Sequence, residues 1–191
     1  MFTLTFNPLN RDFSVRPVCK DTDRALVREI FRKEFYGSAL QSYPDEGLWE
    51  IYDSMETNEE EVFGAYLVAY LDRPLFLIEI HPPFQMDLLS PHLAEPGTVG
   101  IYCFYTSAND PMNLPGFRTC ISSLLDQPGI DQIITTTIHM RYEDPRIGIL
   151  EHSGFTRLAR NRNQPVVYRC TQLSYPLLCD TSGRLTGLLA H

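Results

Sequence analysis

Residues 96–125, PGTVGIYCFYTSANDPMNLPGFRTCISSLL, constrain the fold of this chain more than any other stretch. Val99, Ile101, Tyr102, Cys103, Phe104 and Tyr105 form a β-branched and aromatic run, the composition of a buried strand. A small-polar turn, Thr106-Ser107-Ala108-Asn109-Asp110-Pro111, follows it. Phe117, Cys120, Ile121, Leu124 and Leu125 then recur at helical spacing, with Pro115 in the first turn, where a missing N–H costs nothing. Asp126-Gln127-Pro128-Gly129 stops that helix. A strand that runs through a short turn into a helix sets the helix start at the strand's carboxyl end. Its N–H groups there attract anions.

The flanking sequence alternates the two periodicities. Phe2, Leu4 and Phe6 suggest a short edge strand or arm, and Phe13 to Val18 reads as a first full strand. Asp21-Thr22-Asp23 offers an N-cap for a helix over about 22–36, carried by Leu26, Val27, Ile30, Phe31 and Phe35. Leu48, Trp49, Ile51, Tyr52 and Met55 mark a second, short helix, and Glu59-Glu60-Glu61 reads as a solvated loop. Val62 to Leu71 and Leu75 to Ile80 pair as a hairpin about Asp72-Arg73-Pro74, ended by His81-Pro82-Pro83. Beyond the central helix come a strand over Ile130 to Ile138 and a helix from Pro145 to a left-handed stop at Gly154. Two last strands, Phe155 to Leu158 and Val166 to Leu173, flank an Asn161-Arg162-Asn163 turn. The order β-α-α-β-β-β-α-β-α-β-β implies an α/β (α+β) layer, with helices on both faces of a mixed sheet.

The 191 residues suffice for one domain with a sizeable core. A hydrophobic share of 43% with 21% charged residues is that of a soluble globular chain. A net charge of -8 repels phosphate backbones and argues against general nucleic-acid binding. The five cysteines have no CxxC spacing and read as free thiols in a reducing compartment. No signal peptide or membrane-spanning run is evident, so the expectation is a cytoplasmic protein without a membrane partner. The histidines and acids show no metal spacing such as H-E-x-x-H, and none is expected to bind metal.

This order of elements resembles the Gcn5-related N-acetyltransferase (GNAT) fold, a mixed, mostly antiparallel sheet with helices on both faces. The resemblance covers the core, about residues 13–173, of a single domain spanning 1–191, with 174–191 as a C-terminal extension. Pro74-Leu75-Phe76-Leu77-Ile78-Glu79-Ile80-His81-Pro82 resembles the P-x-F-x-x-E-x-x-x-P strand of the siderophore-biosynthesis branch. Glu143-Asp144-Pro145-Arg146 is similar to that branch's acidic-Pro-x-N element. Ile149-Leu150-Glu151-His152-Ser153-Gly154-Phe155 is similar to the L-Y-E-K-x-G-F element widespread among GNATs.

The resemblance implies acetyl transfer from acetyl-CoA, as cosubstrate, to a small primary amine in a ternary complex. It implies that the pantetheine arm pairs with main-chain groups of the central strand, assigned to Tyr102, Phe104 and Thr106. The pyrophosphate would rest on the next helix start, at Asn113, Leu114, Gly116 and Phe117, with charge from Arg118. It also implies that the first two helices cover the acceptor, which makes Trp49 and Tyr52 candidate substrate contacts. A homodimer through terminal strands would use Leu173 to Leu189. Three departures stand against this pattern. The pyrophosphate loop R/Q-x-x-G-x-G/A is replaced by one glycine, two prolines and Asp110. Leu150 stands where the family often has a tyrosine that acts as general acid toward the CoA thiolate. Pro96 to Ile101 lacks the Asp and His of the siderophore branch's Gly-Asp-x-Gly-x-His segment.

Acetyl transfer needs an amine freed of its proton and a thioester held in line. Glu79, a carboxylate in an apolar strand, and His81, where that strand ends, are the candidate bases; the bland reading is a paired or solvated Glu79 and an ordinary loop histidine. His139, after Thr135-Thr136-Thr137-Ile138, is a candidate for the acceptor pocket or a structural histidine. Against the enzyme stands a different class, a GNAT-like binding or regulatory module that no longer holds CoA.

Overall fold

The structure, a computed structural model, describes residues 12–34, 64–82, 95–136, 145–158 and 166–171. The alternating stretch at Phe13 forms β1 (Phe13–Pro17) and leads into α1 (Lys20–Glu34). The helix begins ahead of the expected cap. Its first bond runs from the Asp23 N–H to the Cys19 carbonyl at 2.8 Å. Asp23 reaches back instead of capping forward: its Oδ2 accepts the Cys19 N–H at 2.8 Å and Arg16 Nη1 at 2.6 Å. Its Oδ1 takes Arg16 Nη2 at 2.6 Å. A buried carboxylate with that many donors satisfies the helix start from inside.

A hairpin of β2 (Gly64–Tyr70) and β3 (Arg73–His81) follows. Its turn is Leu71-Asp72, both with positive φ (47° and 64°), and not Asp72-Arg73-Pro74. Two-residue hairpin loops need that conformation because it matches the twist of the strands. Pro74 already lies in β3, opposite Ala69 beside the bulge between Val68 and Ala69.

The central stretch forms β4 (Thr98–Tyr105) and α2 (Asn113–Leu125), as its pattern predicts. Then come β5 (Gln132–Thr136), α3 (Pro145–His152), β6 (Thr156–Arg157) and β7 (Val167–Thr171). Gly154 ends α3 at φ 82°, as expected of a left-handed stop. The seven strands form one sheet in the order β1-β2-β3-β4-β5-β7-β6. Among the described strands only β4 and β5 pair in parallel; every other neighbouring pair is antiparallel.

The sheet divides two cores. On one face Phe76, Ile78 and Ile80 of β3 and Ile101 and Tyr105 of β4 meet Phe117, Ile121 and Leu124 of α2 and Leu150 of α3. On the other, Ala65, Leu67, Leu77 and Phe104 meet Val27, Ile30 and Phe31 of α1. There Phe31 packs edge-on to Phe104 at 5.2 Å. The alternation of side chains across the sheet thus separates an α1 face from an α2–α3 face. Among the described residues no helix is long and apolar enough to cross a membrane. The expected arm at 2–6, the second helix near 48–55 and the segment 173–189 lie outside the described residues.

Candidate active site

The parallel joint is short. Thr98, Val99 and Gly100 pair with Gln132, Ile133 and Ile134, and the ladder stops there. β4 continues to Tyr105, while β5 stays with β7 through Thr136 opposite Val167. The hydroxyl of Thr135 donates to the Ile101 carbonyl at 2.8 Å and closes the apex of the resulting split.

Main-chain groups of a strand alternate between its two neighbours. The Gly97 carbonyl accepts the Asp131 and Gln132 N–H groups, and the Ile101 carbonyl accepts Thr135, so the odd-numbered positions turn toward β5. The Thr106 N–H donates to the Leu75 carbonyl at 2.8 Å, so the even-numbered positions turn toward β3. The main-chain groups facing the split therefore belong to Cys103 and Tyr105. The expected set, Tyr102, Phe104 and Thr106, is out of phase by one residue. A period of two read from sequence carries no phase for the main chain.

The helix start also differs from expectation. Asp110 sits on it: Oδ1 accepts the Met112 N–H at 2.9 Å, and its carbonyl accepts the Asn113 N–H at 3.1 Å. Arg73, from the hairpin end of β3, pairs with the same carboxylate. The Arg73 guanidinium, and after it the Met112 N–H, holds the Asp110 carboxyl below the usual aspartate range. The Asn113 side chain donates to the Ser107 carbonyl at 2.7 Å and ties the loop to the helix. The Gly116 N–H is taken by the Met112 carbonyl at 3.0 Å.

Three of the expected cofactor residues serve the fold here. A Cβ on Gly116 would stand 3.1 Å from the Phe13 ring and 3.3 Å from Leu75, so its missing side chain lets α2 lie on the sheet. Phe117 is fully buried between Phe76 and Phe155. Arg118 Nε donates to the His152 carbonyl at 3.1 Å, at the end of α3. Leu114 remains half-buried at the helix start.

Glu79 and His81 are brought together on the α1 face. Glu79 is buried, and His81 Nε2 stands 2.8 Å from its Oε1. That is close enough for an ion pair but off the line a hydrogen bond needs, so among the described residues the buried ring nitrogen has no hydrogen-bond partner. Tyr102, opposite Glu79 in the β3–β4 register, sets its ring edge-on to His81 at 5.6 Å. A buried carboxylate and an imidazole thus sit one strand away from the split, and a phenol on the strand that borders it. Their neighbours on this face include Ala65, Leu67, Leu77 and Phe104. Leu150 is buried in the opposite core, so α3 offers no hydroxyl at that position. Trp49, Tyr52 and His139 lie outside the described residues. Among the described residues no three His, Cys, Asp or Glu side chains gather as a metal site.

Sequence reasoning did not single out Arg73, Thr135 or Thr136. Three threonines ending an isoleucine-rich strand were the available signal.

No protein-family model matches the chain, and no curated protein sequence matches it. Solved structures do. The aminoglycoside acetyltransferase AAC(6')-Ib in complex with coenzyme A superposes with a TM-score of 0.64 at 15% identity, covering 85% of this chain and 96% of that one. Aminoglycoside N-acetyltransferase AAC(6')-Ib11 gives 0.63 at 17%, covering 85% and 98%. Mycobacterium smegmatis RimJ in complex with CoA-disulfide gives 0.61 at 12%, covering 86% and 84%. The strand order, the single parallel joint and these superpositions agree: the chain has the fold of the GNAT acetyltransferases.

Proposed function

We propose that this protein is an acyl-CoA-dependent N-acyltransferase that moves an acetyl group from acetyl-CoA to a small primary amine. The observation that carries this is the split between β4 and β5, with the main chain of Cys103 and Tyr105 turned into it, Tyr102 on the bordering strand and Glu79 and His81 one strand away. An extended pantetheine arm fits such a gap as an added strand would. Similar structures were solved in complex with coenzyme A, two of them together with ribostamycin or kanamycin. A net charge of -8 and the Glu79 carboxylate suit a cationic acceptor of that small, amine-bearing kind.

In the reaction the amine nitrogen attacks the thioester carbon. Glu79 or His81 takes the amine proton as the C–N bond forms. The C–S bond then breaks, and the CoA thiolate leaves and takes a proton from the solvent or from the protonated base. Leu150 means that α3 supplies no acid at that position, so the transfer rests on positioning. Trp49, Tyr52 and His139 belong to the acceptor side of this proposal, cytoplasmic location is its setting, and a homodimer through the C-terminal segment is its assembly.

A second reading has one observation in its favour. The Asp110 carboxylate, paired with Arg73, already occupies the helix start where a pyrophosphate would rest. On that reading the protein is a binding or regulatory module that has lost CoA. Calorimetric titration with acetyl-CoA and CoA separates the two. Micromolar binding, followed by turnover in an amine screen, is the expected result; no heat at millimolar cofactor would replace the enzyme with the module.

A further inference from the structure

Thr136 is 3% exposed, and its hydroxyl has no hydrogen-bond partner among the described residues. Leaving such a group unpaired in a dry interior costs stability, so a fold retains one where something else uses it. Its place in the sheet says what that is. The register that sets Gly100 beside Ile134, continued by two residues, sets Tyr102 beside Thr136. The strands have already parted at that level. Ile133 packs in the α2–α3 core, so by alternation Thr136 lies on the α1 face with Tyr102, Glu79 and His81. Across β3, β4 and β5 this face therefore carries Glu79, Tyr102 and Thr136 in one transverse row, and the split passes between the last two. Asn113 Oδ1 and Ser153 Oγ are also buried without partners, but neither belongs to this face.

We propose that Thr136 is a further catalytic residue, its hydroxyl donating to the carbonyl oxygen of the acyl thioester lying in the split, opposite the Glu79–His81 pair. The proposal rests on the acyl-CoA reading. A thioester entering between β4 and β5 presents its sulfur and carbonyl at the level of Tyr102. An amine held toward Glu79 attacks from one side, and Thr136 stands on the other. As the C–N bond forms, the carbonyl oxygen gains the charge that the hydroxyl already faces. A donor fixed in a dry site needs no reorganisation to stabilise it. The hydroxyl gives no proton away; it holds the oxygen until the C–S bond breaks and the carbonyl re-forms.

The test compares acetyl-CoA and CoA binding by calorimetry, with ligand-free melting, for wild type, Thr136→Val, Thr136→Ala and Thr136→Ser. CoA has no acyl carbonyl, so it reports the rest of the site. Thr136→Val should lose about fivefold in affinity for acetyl-CoA, the worth of one neutral hydrogen bond, and keep that for CoA. Thr136→Ser should bind both as wild type does. The ligand-free Val variant should melt no lower than wild type, because the hydroxyl bonds nothing in the fold. Thr136→Ala gives the same binding comparison if the valine packs badly. Equal losses for both ligands, no loss in Val and Ala, or a lower melting point in Val restored by Ser would each overturn the role of Thr136. If wild type binds neither ligand, the acyl-CoA reading itself falls, and the role falls with it.

Discussion

Asp110 serves two functions at the start of α2. Its carboxylate closes the loop through the Met112 N–H and anchors Arg73, and it puts a negative charge where the proposed cofactor's pyrophosphate would come. Asp110→Asn should tighten CoA binding by about fivefold, the scale of one charge at a helix start; unchanged affinity in calorimetry would place the phosphates elsewhere. The same change has a pH signature. The folded state holds the Asp110 carboxyl below its ordinary range, so its contribution is full above the unfolded aspartate pKa of about 3.9. It is lost as pH falls through the lower folded value. The stability gap between wild type and Asp110→Asn should therefore close between about pH 5 and pH 2 in denaturant titrations.

The cysteines give a second residue-scale result. Cys19 is exposed, and hydrogen bonding to Thr22 lowers its thiol, whereas burial raises those of Cys103 and Cys120. Among the described cysteines, iodoacetamide at neutral pH should label Cys19 first by mass spectrometry, with the half-buried Cys103 slower and the buried Cys120 reacting only on unfolding. Free thiols are what the sequence implies; Cys19 stands exposed just ahead of a helix that begins at Lys20, slightly earlier than its aspartates suggest.

Elements were legible where periodicity decides them. The strand, loop and helix of residues 98–125 follow directly from one apolar run and one helical stripe. Turns were less so, because proline is a strong turn signal that tertiary pairing overrides: Pro74 is in β3, and the turn moves to Leu71-Asp72. Leu71 is 64% exposed at φ 47°, a conformation that costs a leucine and suits asparagine. The pair Leu71→Asn with Asp72→Gly should stabilise the protein by about 1 kcal/mol in urea unfolding. The candidate site was legible in its chemistry and not in its phase. Glu79 and His81 stood out as polar residues in an apolar strand. That Cys103 and Tyr105, not their neighbours, turn toward β5 depends on hydrogen bonds between strands far apart in sequence. The orphaned state of Thr136 is likewise a property of what surrounds it.

The whole molecule carries a charge of -8. Both CoA and the protein are then anionic, and they repel at long range. Stopped-flow association with CoA should speed up as salt rises from about 10 to 150 mM, because the screening length falls from about 30 to 8 Å. A cationic acceptor amine should show the opposite dependence. The superpositions at 12–17% identity fit this scale of description: they report the arrangement of strands and helices, while the side chains at the helix start are this protein's own.

The three-pair joint between β4 and β5 makes the sheet mechanically two plates, β1-β2-β3-β4 and β5-β7-β6, welded along one short seam. The split is a crack held open by design, and its tip is the Thr135 hydroxyl on the Ile101 carbonyl. Load applied across the sheet concentrates at that tip. An extended arm lodged in the crack would bridge the plates from the open side and blunt it. The ligand would then stiffen the protein at its weakest line, and an empty site would be the place where the fold first comes apart.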